Sequence, residues 1–264
     1  VNIIACIKYV PDTETKVRVK PGAREIEKEG VNYVVNPYDE FAVEEALKIK
    51  EKFGEGSVTV ISMGYKKAEE GIRTCLAMGA DRGIHIIEED IEHTDPYTIA
   101  KLLYRVIKDL DYNIILCGRQ AIDDDSAQVG SILAEFLNIP QGTFIRKLSI
   151  SDDKKSAIVE RDIEGGSMRI EVSLPAIFTT DKGLNEPRYP SLPGIMKAKK
   201  KEIKVMNYNE LGLSDDEIGE KGSKIRILEM FLPPERKAGK IIEGEIPDAC
   251  KELVKLLREE AKVV

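Results

Sequence analysis

The chain has no tryptophan, two histidines and four cysteines among its 264 residues. The cysteines, Cys6, Cys75, Cys117 and Cys250, stand far apart with no CxxC pair. That spacing speaks against metal or iron–sulfur ligation and equally against a disulfide framework. His85 and His93 have nothing beside them to complete a nucleophile–base arrangement, so both read as structural and no histidine falls in the crevice expected below. No apolar run is long enough to span a bilayer, and the chain is not expected to insert in a membrane. There is no GxxxxGK(S/T) phosphate loop and no GxGxxG after any expected strand, which removes the self-contained nucleotide motifs. A formal net charge of −7 argues against nucleic acid or an anionic membrane as the main partner. The opening residues VNIIACIKYV have neither a basic leader nor a small-residue cleavage site, so they read as a first strand and the cytoplasm is the expected compartment.

What is present is ordinary for a soluble globular protein: 42% hydrophobic and 33% charged residues, in a chain long enough for one large or two modest domains. The most informative stretch is CGRQAIDDDSAQVG, from Cys117 to Gly130. Before it, Ile114 to Cys117 form an unbroken apolar run, the pattern of a strand covered on both faces. After it, Val129, Ile132, Leu133, Phe136 and Leu137 recur at helical spacing until Pro140. The junction is a strand, a loop opened by Gly118, and a helix N-terminus, the place where open parallel sheets bind ligands. Asp123, Asp124 and Asp125 crowd the helix entry with Ser126 as a candidate cap, and acids there also complement the helix dipole.

Alternation runs through the first half of the chain. Asn2 to Ile7 is a strand; β-like pieces follow at Lys16 to Val19 and Val31 to Val35. Asn36-Pro37 reads as a capped helix start, with Ala42, Ala46, Ile49 and Phe53 on its apolar face. Ser57 to Met63 is a strand, Lys66 to Met78 a helix, Gly83 to Ile87 a strand, and Asp95-Pro96 opens another helix. This order forces right-handed crossovers and a doubly wound, mostly parallel α/β sheet. If the first and fourth strands lie adjacent where the winding reverses, Cys6 to Val10 and Gly118 to Val129 face one crevice, where a ligand belongs.

After Pro140 the pattern becomes antiparallel: Thr143 to Ile150, Ser156 to Ile163 and Met168 to Leu174 alternate and are joined by polar turns. Ala176 to Thr180 returns to the sheet. Pro187, Pro190 and Pro193 then recur every third residue, a spacing expected to hold the backbone extended. This leaves Leu192 and Ile195 without an evident core, ahead of the basic run from Lys197 to Lys204. Such a segment reads either as a solvated loop or as a docking loop with an apolar middle and a charged rim. A β-like run, Ile225 to Phe231, precedes a Gly-punctuated arm and a terminal helix, Pro247 to Lys262, with the character of a tail that wraps a partner chain.

Across nearly its whole length the sequence resembles the β-subunit of electron-transfer flavoproteins. The resemblance is carried by NPYDEFAVEEAL from Asn36, MGADRGIH from Met78, GRQAIDDDSAQVG from Gly118, the block from Val159 to Gly166 with Leu174-Pro175, and NEPRYPSLPGIMKAKKK from Asn185. It implies an adenine-nucleotide hydrolase-like fold and a heterodimer with an α-subunit that holds most of a redox-active FAD. By position, nucleotide contacts fall on Cys6, Asn36, Pro37, Tyr38, Asp39 and Met63, and on Gly118, Arg119, Gln120, Ala121, Ile122, Asp123, Asp124, Asp125, Ser126, Ala127, Gln128 and Val129. Tyr38 matches an aromatic near the flavin of the α-subunit, whereas Thr13 stands where some members have another. Docking of partner dehydrogenases falls on Leu192 as anchor, with Pro193, Ile195, Lys197 and Lys200. The implied division is a nucleotide-binding α/β domain over 1–204, including the β extension and docking loop, and an arm over 205–264 that packs on the α-subunit.

The expected function is that of an electron carrier and not of an enzyme: electrons pass from dehydrogenases, acyl-CoA dehydrogenases of fatty-acid oxidation foremost, through FAD to a later acceptor, with AMP bound in the crevice and no catalytic or metal-binding residue. One alternative places a second FAD in the crevice and adds NADH oxidation, as in electron-bifurcating members. DDDSAQ and the docking loop resemble the one-flavin branch, KYVPDT and NPYDE the bifurcating one. Another class is a Mg-dependent nucleotide-hydrolysing enzyme, with Asp123 to Asp125 on the metal. A third is a pure interaction subunit with an empty crevice.

Overall fold

The computed structural model describes residues 1–88, 93–234 and 239–263. Ile3–Ile7 (β1) is buried along its whole length. Tyr9–Pro11 (β2) and Tyr33–Val35 (β3) pair antiparallel outside the main sheet. Lys16 to Val19 forms no strand; it lies in a turn-rich loop where Arg18 O accepts the Glu27 N–H at 2.8 Å. Then come Pro37–Phe53 (α1), Val58–Gly64 (β4), Glu69–Met78 (α2), Arg82–Ile87 (β5), Pro96–Ile107 (α3), Ile114–Gly118 (β6) and Val129–Leu137 (α4). Gln141–Ile150 (β7), Ser156–Ile163 (β8) and Gly166–Ser173 (β9) form the antiparallel extension, and Ala176–Thr180 (β10) returns. Leu192–Ala198 (α5), Ile203–Asn207 (β11), Gly219–Gly222 (α6) and Ile246–Glu259 (α7) complete the order.

Among the described residues nine strands form one sheet in the order β11-β5-β4-β1-β6-β10-β7-β8-β9. Pairs from β11 to β7 are parallel, and β7–β8 and β8–β9 are antiparallel. The fold is thus a doubly wound, mostly parallel α/β sheet with an antiparallel extension. β1 and β6 are neighbours, with Ile3 opposite Ile114 and Cys6 opposite Cys117. From β1 the chain winds outward through β4 and β5, then crosses back to lay β6 on the other side, so the winding reverses between β1 and β6.

The period-2 alternation of each buried strand divides its side chains between two cores. On one face Ala42, Ala46 and Leu47 of α1 and Ile72 and Leu76 of α2 pack on Ile3, Ala5, Val60, Leu116 and Phe178. On the other, Leu102 and Val106 of α3 and Leu133 of α4 pack on Ile4, Ile61, Ile115 and Ile177. Each large apolar side chain so buried contributes about 1.5–3 kcal/mol, which fixes the central strands β1, β4, β6 and β10 and hence the loops at their C-terminal edge.

Two expectations give way to other structure. Residues 185–191 run without regular structure as the prolines require, but Leu192 begins α5: Ser191 caps it by accepting the Gly194 N–H at 3.1 Å, and Pro193 lies in the first turn, where a missing donor costs nothing. Residues 225–231 form no strand; Arg24 Nε donates to Ile227 O at 2.7 Å and Met230 N–H to Ala23 O at 2.8 Å, isolated bonds and no ladder. The chain divides into two compact units, Val1–Met230 and Phe231–Val264. The expected boundary after residue 204 falls inside β11, whose residues pair with Gly83 to Ile87. In the second unit α7 buries none of its residues.

Candidate functional site

The C-terminal ends of β1 and β6 are tied together by the first turn of α1. Asp39, 5% exposed, accepts the Lys8 N–H on Oδ2 at 2.7 Å and the Gly118 N–H on Oδ1 at 2.9 Å. Burial pushes its carboxyl up to about 7, although both backbone donors favour the charged form. Gly118 has to be glycine for this approach: a Cβ there would lie 2.3 Å from Asp39 Oδ1. Asn36 stands at the cap position of α1 as expected but makes no side-chain cap bond. Its side chain spans the crevice wall, donating to Gln120 O at 2.9 Å and accepting the Ile122 N–H at 3.2 Å. A tertiary partner has displaced the local one.

A cleft opens above this clamp, lined by Cys6, Lys8, Asn36, Asp39, Met63, Ile99, Leu103, Cys117 and much of the loop from Gly118 to Gly130. Its far wall is the N-terminus of α4. Ser126 does not cap that helix; the cap position is Gln128, with no side-chain bond, while Ser126 N–H donates to Asp124 Oδ1 at 3.0 Å. The N–H groups of the first turn therefore lack a side-chain cap and carry the positive end of the helix dipole, an arrangement suited to an anion. The acids are engaged elsewhere: Lys8 Nζ lies 2.8 Å from Asp123 and 3.0 Å from Asp124, and Asp125 accepts from Gln120 Nε2 at 2.5 Å. Burial alone lowers the pKa of Lys8, but the two carboxylates outweigh it and raise it. Burial likewise opposes the Asp124 carboxylate, and Lys8 with the Ser126 amide brings its pKa below the ordinary value. Cys6 and Cys117 form part of the floor as neutral thiols, Cys6 pushed up to about 12 by burial and Asp39, and Cys117 well above its usual value by burial.

The cleft encloses about 110 Å³ and adjoins a cavity of about 510 Å³, with which it shares Lys8, Met63, Ile99, Asp124, Ser126 and Gln128. The inner space alone is below the ~300–1,000 Å³ of ordinary ligand pockets and the pair is within that range. Apolar Met63, Ile99, Leu103 and Val129 suit the faces of an aromatic base, and the first turn of α4 suits a phosphate. His93, which sequence reading kept out of the crevice, lines the outer cavity.

Of the residues singled out in the sequence, Cys6, Asn36, Asp39, Met63, Gly118, Arg119, Gln120, Ala121, Asp124, Ser126, Ala127, Gln128 and Val129 line the inner cleft, and Asp123 lines the outer cavity. Pro37, Tyr38, Ile122 and Asp125 line neither. Tyr38 is half-buried beside the cleft, with the Arg119 guanidinium 5.7 Å from its ring centre; Arg119 also lies over Phe144 and pairs with Asp181 at 2.8 Å. Sequence reading missed Ile99, Leu103, Cys117 and Gly130. The first two were visible only as the apolar stripe of α3, which serves core and cleft alike. Thr13 is exposed in the loop after β2.

The expected docking residues form a separate surface. Leu192 is 81% exposed, and Pro193, Ile195, Lys197 and Lys200 are exposed with it on α5 and the turn that follows. Tyr189 and Met196, not singled out before, extend this apolar patch.

The model of the electron transfer flavoprotein domain matches residues 24–211. The chain is 46% identical over 264 residues to the electron transfer flavoprotein subunit beta of Bacillus subtilis, covering the whole of both chains. It is 45% identical over 257 residues to that of Thermoanaerobacterium thermosaccharolyticum, covering 97% of each. It is 39% identical over 264 residues to that of Homo sapiens, covering 99% of this chain and 98% of the human one. With these matches along the full chain, and the winding reversal at β1 and β6 beneath them, this protein belongs to the electron transfer flavoprotein subunit beta family.

Proposed function

We propose that this chain is the β-subunit of a cytoplasmic, heterodimeric electron carrier that accepts electrons from flavin dehydrogenases, acyl-CoA dehydrogenases foremost, and passes them to a later acceptor. The observation that carries the reading is the cleft at the winding reversal, where Asp39 clamps the ends of β1 and β6 opposite the uncapped first turn of α4. Its residues fit AMP: the N–H groups of Gln128 to Gly130 would hold the phosphate, and Met63, Ile99 and Leu103 the base. An α-subunit would hold most of the FAD, with Tyr38 on the flank of this chain nearest to it. FAD, when bound, supplies the acceptance and release of electrons; this chain supplies binding, orientation and the docking surface around Leu192. The buried, unpaired thiols of Cys6, Cys75 and Cys117 agree with a reducing compartment.

A second reading has one observation in its favour. The adjoining cavity of about 510 Å³ offers room for more than a mononucleotide, as a second FAD with an NADH site would require. Against it, Lys8 at the shared wall stands paired with Asp124 beside it and with Asp123 of the outer cavity. The same pairing counts against a Mg-dependent hydrolase, since the acids already have a cationic partner.

The experiment is co-expression with the α-subunit. A one-to-one complex with a flavin spectrum, bleached by an acyl-CoA dehydrogenase and its substrate, is expected, and the chain alone should be colourless. A full complement of flavin on the lone chain would contradict the proposal.

A further inference from the structure

The segment that presents Leu192 is fastened at both ends to the two helices on one face of the sheet. On its N-terminal side, Arg188 makes a double fork onto α1: Nε and Nη2 donate to Glu44 at 2.8 and 3.0 Å, and Nη1 and Nη2 to Glu51 at 2.5 and 3.0 Å. The Arg188 N–H adds a bond to Glu44 at 3.1 Å. Three residues earlier, Asn185 Nδ2 donates to Phe41 O at 3.0 Å and to Glu45 at 2.9 Å. On the C-terminal side, Arg73 of α2 donates to Ala198 O and Lys201 O, both at 2.8 Å. There α5 presses so closely on α2 that a Cβ on Gly194 would lie 2.4 Å from Ala77 O. Between the two fastenings, Tyr189 is 94% and Leu192 81% exposed.

Glu44, like its neighbour Glu45, is almost wholly buried on a helix that meets the core through Ala42, Val43, Ala46, Leu47 and Ile49. A buried carboxylate is costly unless paired, and a hydrophobic residue of similar size would serve stability as well. What the pair adds is geometry: a bidentate guanidinium fixes direction as well as distance. An exposed anchor on a loose loop must be ordered when the partner arrives, and a loop ordered beforehand avoids that entropy cost.

We propose that Arg188 is a positioning residue for partner docking, holding the Tyr189–Leu192 segment in its binding geometry through Glu44 and Glu51. This rests on the docking reading given above. The test uses the heterodimer with an acyl-CoA dehydrogenase as donor and compares Arg188→Gln, Arg188→Gln with Glu44→Gln, Arg188→Lys and Leu192→Ala. The double variant removes the buried charge that the single one strands, so it reports even if the single variant folds poorly. Both glutamine variants should raise the dehydrogenase concentration at half-maximal rate about tenfold, with the saturating rate and flavin spectrum unchanged and amide exchange over 186–198 accelerated. Lysine should restore docking only in part, since an ammonium cannot fork between two carboxylates. If Leu192→Ala weakens docking while the Arg188 variants dock like the parent, the proposal is overturned and the docking reading stands. If Leu192→Ala also docks like the parent, both are overturned.

Discussion

The Oδ1 of Asp39 and the amide nitrogen of Gly118 lie 2.9 Å apart, joining the start of α1 to the end of β6 at the point where the winding of the sheet reverses. No side chain larger than hydrogen fits at 118, because a Cβ would meet Asp39 Oδ1 at 2.3 Å and Tyr38 Cβ at 2.7 Å. Gly118→Ala should push α1 away from β6, lower stability by about 1–3 kcal/mol and deplete nucleotide from the purified heterodimer. Thermal melts together with nucleotide content check this; a variant that melts and retains nucleotide like the parent would show that the approach is not required.

The same carboxyl gives a pH dependence. Burial holds Asp39 at about 7 in the folded chain, whereas an aspartate in an unfolded chain titrates near ~3.9. Between these values the native state keeps a proton that the unfolded state releases. The stability this confers is fully present below the unfolded value and is lost as pH rises through the folded one, on the order of 4 kcal/mol in all. Asp39→Asn cannot titrate and loses one of the two acceptors, so it should be less stable throughout but flatter with pH. Urea midpoints from pH 5 to 8 for both proteins should converge as pH rises. Parallel curves would place the Asp39 titration outside this range.

Leu192 projects into solvent and contributes little to the fold. Leu192→Ala should therefore leave the melting temperature and flavin spectrum unaltered. Full burial of a leucine against a partner is worth about 1.5 to 3 kcal/mol, or roughly one to two decades in affinity. Electron-transfer rates at subsaturating dehydrogenase should fall accordingly, and unchanged rates there would remove Leu192 as the anchor.

The sheet was legible because its signals are local. Runs such as Ile114 to Cys117, and helices opened by Asn36-Pro37 and Asp95-Pro96, alternate clearly enough to imply parallel crossovers, whereas the adjacency of β1 and β6 was only a condition on the expected crevice until the sheet order met it. What escaped depends on partners distant in sequence. Asn36 stands where a cap belongs, yet its side chain is taken by Gln120 and Ile122. Ser126 looked like the cap of α4, yet the helix begins beyond it. Three prolines at even spacing suggested an extended loop, but Pro193 lies in the first turn of a helix that Leu192 begins and Ser191 caps. Residues 225–231 have strand composition, yet their bonds run singly to Arg24 and Ala23 and form no ladder among the described residues. The ion pairs that fasten the docking segment join Arg188 to Glu44 and Glu51, more than a hundred residues apart in the chain, and no spacing rule announces them.

The most direct measurement is chromatography of the small molecules released when the purified heterodimer is denatured. The account predicts one FAD and one AMP per complex, with AMP lost from Gly118→Ala before FAD is. Two FAD and no AMP, in a complex reduced by NADH, would contradict it and assign the cleft and its adjoining cavity to a second flavin.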